Sequence, residues 1–456
     1  MSDEPAGDEP LDDVSSYGRS AAGLTAALGL GGVLTYVFFI LTSHSLTDDQ
    51  YGEVVVLWSV VFIVASTLYR PIEQLLARTL AERDQVGVPS GDALRTAGVI
   101  QLAVCLLTVV ALLIARVPLE DNLFSNNPDF FWAMLASLVG FSLAYFARGY
   151  LAGRGHFGVY AALLIVESML RVVLAALVTI GLLSGPAPIA LAIALAPFCG
   201  LLMVPFARRA SRPPADGTVP GGADLTLGRG SAFAAAVLVM MLSEQILVSS
   251  GALFVRAAEG AAAAGFMFNI LLVARAPLVL FQAVAASLLP HLTRLRARAD
   301  RAGEDAFRES LQNTMLLIAG FAAAVTIGVL AIGPQVMQIA FGDGFDYDRL
   351  GLAIVAVGMG FYLVAASLNQ AALAQGQAHR AASRWILCAG LFVVYNLIGP
   401  GDPFRTVEVG YAGCSALLAL LLYGVYRNPV TRQEDLFEPG SPEEIQARLA
   451  TSDEIA

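Results

Sequence analysis

Lysine is missing altogether: all 27 basic residues are arginine, a bias of base composition from which no mechanism follows. Charge of either sign is scarce. Only 14% of the 456 residues are charged, 57% are hydrophobic, and the mean hydropathy is +0.69. A soluble domain carries about 25% charged residues, so a soluble globular protein is excluded and the surplus apolar surface must face lipid. The four cysteines, Cys105, Cys199, Cys388 and Cys414, lie in apolar runs with no CxxC spacing and no histidine nearby. They read as small buried hydrophobes, which leaves no disulfide framework. Histidine is confined to His44, His156, His291 and His379, and no HExxH occurs, so no metal site is expected. The glycine-rich stretches GRGHFG (153–158) and GDGFD (342–346) match neither GxxxxGK[ST] nor a GxGxxG after a strand, which removes an ATPase domain and any nucleotide cofactor. The first residues are acidic where a cleavable signal peptide needs positive charge.

What is abundant is long apolar runs. Hydropathy predicts twelve spans, at 20–42, 53–76, 96–115, 130–150, 158–183, 187–207, 230–254, 262–290, 311–332, 350–374, 380–398 and 406–426. Such runs are not the short alternating strands of an outer-membrane barrel. Helices, which satisfy their own backbone in lipid, are the alternative. Of the arginines, 21 fall in or beside the N-terminus, the even-numbered loops and the C-terminus; only Arg116, Arg256, Arg349 and Arg405 fall in the odd-numbered loops. Positive charge stays inside, which predicts a cell-membrane protein with both termini cytoplasmic. The formal charge of −10 resides in the two tails and says nothing about a basic ligand or nucleic acid.

The chain divides into an acidic tail expected to be disordered (1–19), a six-helix lobe (20–207), a Pro-, Gly- and Arg-rich cytoplasmic linker (208–229), a second six-helix lobe (230–426) and an acidic C-terminal tail (427–456). In that tail SPEEIQARL (441–449) has the Ser-Pro start and early acids of a short surface helix. The lobes resemble one another. ARGYLAGRGHFGVYA (147–161) ends span 4 as NQAALAQGQAHRAAS (369–383) ends span 10, and YGEVVVL (51–57) opens span 2 as AGFMFNI (264–270) opens span 8, at an offset of 213. An even number of spans per lobe makes these parallel repeats, related by an axis along the membrane normal, as in transporters that rock one half against the other.

Ionisable residues at bilayer depth pair with one another or line a polar cavity. Glu167 and Arg171 lie one helical turn apart in span 5, on one face. Glu244 in span 7 and Arg275 in span 8 stand at similar distances from the intervening turn, so antiparallel neighbours would bring them to similar depth, as an ion pair or as walls of one cavity. Each pair has two readings: mutual neutralisation, or positive charge offered to an anionic substrate, whose phosphate oxygens a guanidinium binds bidentately. Gln245 and Asn269 complete the candidate cavity set. Pro277 is expected to kink span 8, and Pro197 and Pro205 span 6. Gln74, Gln282, Asn369, Gln370 and Gln375 read as hydrogen-bonding glue between helices.

LTDDQYGEVVVL (46–57), LAGRGHFGVYA (151–161), AFGDGFDYDRLGLAI (340–354) and LAQGQAHRAA (373–382) resemble loop patterns of the Wzx-type polysaccharide-biosynthesis flippases, in the multidrug/oligosaccharidyl-lipid/polysaccharide exporter superfamily. The resemblance covers about residues 18–426. It implies an all-α bundle of six plus six helices around a central cavity, alternating access, and transfer of an undecaprenyl-pyrophosphate-linked oligosaccharide to the outer leaflet. The partners it implies are that lipid-linked glycan, membrane lipid, and the glycosyltransferases or polymerase of the same pathway. Cationic residues line the family's cavity, and Arg171 and Arg275 stand at the matching depth. Rival readings are a cation-coupled multidrug antiporter of the same superfamily, a non-transporting scaffold, and a membrane-embedded glycosyltransferase; the last needs a large external loop, and the longest here are 116–129 and 333–349. The reading is a transporter and not an enzyme.

Overall fold

The computed structural model describes residues 11–85, 89–207, 229–275, 301–342, 344–345, 347–399 and 401–428, and among them every regular element is helical. The expected kink at Pro277, Gln282, the linker and the 441–449 helix lie outside these residues. The first group of helices is α1 (Leu11–Ser45), α2 (Asp48–Leu68), α3 (Arg70–Gln85), α4 (Gly91–Ile114), α5 (Arg116–Leu123), α6 (Pro128–Gly153), α7 (Phe157–Thr179) and α8 (Ala187–Leu201). The second is α9 (Arg229–Ser249), α10 (Gly251–Glu259), α11 (Ala261–Arg275), α12 (Arg301–Phe341), α13 (Arg349–Ala374), α14 (Ala378–Ile398) and α15 (Pro403–Arg427).

Ten described helices are long and apolar enough to cross a membrane, and the bent pair α9–α10 makes an eleventh. With the shorter apolar α11, each predicted span falls on a helix, in a multi-pass membrane protein. Three boundaries differ from expectation. The chain is already helical from Leu11, so residues 11–19 continue α1 instead of forming a disordered tail. The second span runs on to Asp84 and breaks at Tyr69, where Pro71 cannot donate to the ladder. The seventh span bends by 50° at Ser250, whose hydroxyl donates back to the Ile246 carbonyl immediately before Gly251. Of the two prolines expected to kink span 6, Pro197 is carried inside α8, and Pro205 sits in a single 3-10 turn, Val204–Phe206, that follows it.

Helix starts at one end of the bundle are capped as the sequence dictates. Thr47 and Gln50 form a capping box. Asn127, Asp348 and Asp402 accept from the backbone of Asp129, Gly351 and Arg405, at 3.1, 3.2 and 2.9 Å. At the opposite end the turns of the two repeats are the same. Gly155 and Gly376, with φ of 70° and 73°, follow α6 and α13. His156 N donates to Leu151 O and Gln377 N to Ala372 O, at 2.8 and 2.9 Å, closing one left-handed cap twice.

Packing falls into two groups. α6 packs on α3 and α8, and α7 on α1 and α8; α13 packs on α12 and α15, and α14 on α9 and α15. Between the groups, α2 runs along α9 and meets α10. The lobe-to-lobe hydrogen bonds among described residues lie in the half of the bundle that carries residues 45–48 and 123–128. Tyr51 donates to Asn269 Oδ1, Tyr36 to the Leu272 carbonyl at 2.9 Å, and Arg256 to Ser125 Oγ at 2.9 Å. The rings of Phe39 and Phe268, and of Tyr51 and Phe345, also meet there. Among the described residues this is the sealed end.

Candidate functional site

The buried charges gather below the seal, more of them than the sequence suggested. Glu167 and Arg171 pair along α7 at 3.1 Å, as their spacing predicts, and both are about 4% exposed. A second cation joins them: Arg148 of α6 pairs with the other Glu167 oxygen, so one carboxylate holds two guanidiniums. Arg171 also donates to Ser168 Oγ at 3.2 Å and lies 5.2 Å from the Trp58 ring; Arg148 lies 4.9 Å from the Tyr145 ring. Beside Arg148, Glu73 is buried on α3 and accepts from the Tyr160 hydroxyl. Gly149 and Gly153 of α6 let α3 approach this closely; a Cβ on Gly149 would lie 2.8 Å from the Glu73 carbonyl oxygen.

Glu244 and Arg275 do not pair. Glu244, half-buried on α9, accepts from Tyr362 of α13 at 2.6 Å, and its cationic neighbour is Arg70 across the lobe boundary. The expectation of a hairpin pair assumed straight antiparallel helices; α10 intervenes with its bend. Arg275 lies fourteen residues into α11, roughly 20 Å along it at 1.5 Å per residue. Its electrostatic neighbours are the hydroxyls of Tyr36, Tyr362 and Tyr411, and no described carboxylate pairs with it. Arg70 is exposed to water yet surrounded at longer range by Tyr145, Glu73, Tyr160 and Glu244, the situation of a side chain facing an internal cleft.

Gln245 is buried and its Oε1 accepts from Ser249 of its own helix at 3.2 Å; fully buried Asn269 accepts from Tyr51 through Oδ1, while its amide Nδ2 has no hydrogen-bond partner among the described residues. Asn369 accepts from Trp385 at 3.0 Å, an interhelical tie of the kind expected. Arg70, Glu73 and Arg148 are not among the sequence candidates, although each falls within a predicted span; the two arginines, near span ends, count with the loops. Taken together the described interior holds Arg70, Arg148, Arg171 and Arg275 against Glu73, Glu167 and Glu244, leaving one positive charge in excess.

At the sealed end a hollow of about 350 Å³ is lined by Tyr395, Asp402 and Arg405. It opens to solvent, and Arg405 is already engaged by Asp348 and Glu408, so no charge is spare there. Glu408 also accepts from Tyr347, and burial, with that carboxylate beside it, raises the Tyr347 hydroxyl above its usual range.

No protein-family model matches the chain. It is 27% identical over 388 residues to the uncharacterized protein Rv3630 of Mycobacterium tuberculosis, covering 78% of this chain and 83% of that protein. The fold is that of MATE transporters. A multidrug resistance MATE family transporter of the MOP superfamily, in an inward-facing conformation, superposes with a TM-score of 0.66 at 14% identity, over 89% of this chain and 97% of that one. A point mutant of the Vibrio cholerae MATE transporter VcmN gives 0.62 at 16% identity, over 91% and 97%.

Proposed function

We propose that this protein is an alternating-access transporter that carries a lipid-linked, pyrophosphate-bearing oligosaccharide from the cytoplasmic to the outer leaflet for cell-surface polysaccharide assembly. Arg275 carries the reading: a half-buried cation at membrane depth, among tyrosines, with no carboxylate paired to it among the described residues. A charge in that position is costly unless an anion arrives, and a guanidinium among hydroxyls suits phosphate oxygens. The head group could not cross hydrocarbon unaided; two rocking lobes would shield it while its lipid tail stays in the bilayer. The arginine asymmetry favours an outer position for the sealed end, and on that reading the state is inward-facing, presenting the arginine to the side where such glycans are made. Glycosyltransferases or a polymerase of the same pathway are the expected partners.

The test is flipping of a fluorescent lipid-linked oligosaccharide in proteoliposomes, read by head-group accessibility, beside melting in detergent. Arg275→Ala should leave folding intact and slow flipping by about ten- to a hundredfold, the worth of a hydrogen bond to a charged group at roughly 1.5–3 kcal/mol. Arg275→Lys should recover only part of the rate, lacking the bidentate fork. Normal flipping by Arg275→Ala would sink the proposal.

A second reading, a cation-coupled multidrug antiporter, draws on the multidrug transporters that share the fold and on Glu244, whose contact is a tyrosine and not an arginine. Efflux of a lipophilic cation that Glu244→Gln abolishes and Arg275→Ala leaves alone would select it.

A further inference from the structure

The seal brings equivalent places of the two repeats together. Gly52 of α2 and Gly265 of α11 occupy equivalent places in YGEVVVL and AGFMFNI, and they meet face to face. A Cβ on Gly265 would lie 2.8 Å from the Tyr51 ring and 3.2 Å from the Gly52 Cα, and one on Gly52 would overlap the Ala261 carbonyl. This is contact of backbone on backbone. No side chain fits there unless α2 and α11 separate, and the Tyr51–Asn269 hydrogen bond flanks the contact. Ala264, beside it, is fully buried.

Further from the seal, opposite charges on opposite lobes confront one another. Arg70 stands on α3, immediately after the break at Tyr69, and Glu244 stands on α9. The two helices touch across the lobe boundary, and there Arg70 and Glu244 are electrostatic neighbours without forming an ion pair. Arg70 is exposed, and the described hydrogen bond to Glu244 comes from Tyr362. An attraction across a wet gap grows steeply as the gap narrows and water leaves. Lobes pivoting about the crossing helices would narrow one end as they open the other.

We propose that Arg70 and Glu244 are the two halves of the inner gate, which close into an ion pair when the Gly52–Gly265 seal opens. The charge pair then holds the outward-facing state as the glycine contact holds the inward-facing one. This rests on the alternating-access reading and is independent of what is carried.

The test uses the full chain with its four cysteines replaced and one cysteine introduced as Ala264→Cys, labelled from the outer side by an impermeant maleimide. In that background labelling should be slow, and Gly52→Ala should speed it by roughly tenfold, by removing the fit that holds the seal shut. Asn269→Leu serves the same purpose should Gly52→Ala fold poorly. Adding Arg70→Glu or Glu244→Arg to the opened background should return labelling toward the slow rate, because like charges then oppose inner closure. Combining the two reversals restores the attraction and should restore fast labelling. Single reversals without effect, or a swap that fails to rescue, would overturn the gate assignment while leaving alternating access standing. No labelling in either opened variant would overturn both.

Discussion

Glu167 shows how a single buried carboxylate can be worth more than either of its partners. It holds Arg171 along α7 and Arg148 across to α6. Removing Glu167 leaves two guanidiniums facing one another in a dry interior; removing Arg171 leaves an ion pair still made. Glu167→Gln should therefore destabilise by about 3–5 kcal/mol, and Arg171→Met by roughly 1–3 kcal/mol, as read by denaturant or thermal melts in detergent. The reverse order would show that Glu167 is not the anion at the centre. Its pairing with Arg171 was legible because a helix fixes which residues share a face one turn apart. Arg148, nineteen residues away, was not, because hydropathy ranks depth along one helix and is blind to the helix beside it. The supposed Glu244–Arg275 pair failed for a related reason: equal distance from a turn gives equal depth only when the helices leave it straight.

At the scale of elements, the clearest sequence signal was the repeated turn. Gly155 and Gly376 each take a left-handed backbone after a long helix, which glycine adopts without the Cβ penalty. The letters LAGRG and LAQGQ align at an offset of 222, whereas Arg154-Gly155-His156 superposes in hydrogen bonding on Gln375-Gly376-Gln377, at 221. The turn keeps its backbone geometry and lets residue identity drift by one place, so the repeat was legible and its register was not. Gly155→Ala and Gly376→Ala should each cost about 1–2 kcal/mol, and the double variant close to their sum, since the turns lie in different lobes. Melting of the three variants measures it; a strongly non-additive double would mean that the two turns share a neighbour. The break before Arg70-Pro71 and the bend at Ser250 were hidden inside apolar runs, where a hydropathy window averages over them.

For the molecule as a whole, direction across the membrane decides what the polar interior can do. The helical bundle and its seal are the same whichever way the chain is inserted. The proposed sidedness rests on arginine alone, with 21 in or beside the two tails and even loops against four in the odd loops. The structure places Asp48, Asn126 and Gly401 exposed at the sealed end. In a cysteine-free background, single cysteines at these three should react with an impermeant thiol reagent on intact cells. Cysteines introduced at Asp216, in the linker, and at Ser441, in the C-terminal tail, should react only after lysis. With that pattern the seal faces outward, Arg275 is reached from the cytoplasm, and a glycan assembled on lipid inside can be loaded and released outside. With the reverse pattern at two or more sites, the same tyrosine-ringed arginine would be loaded from outside, and glycan export would be untenable whatever the flipping assay reported for Arg275.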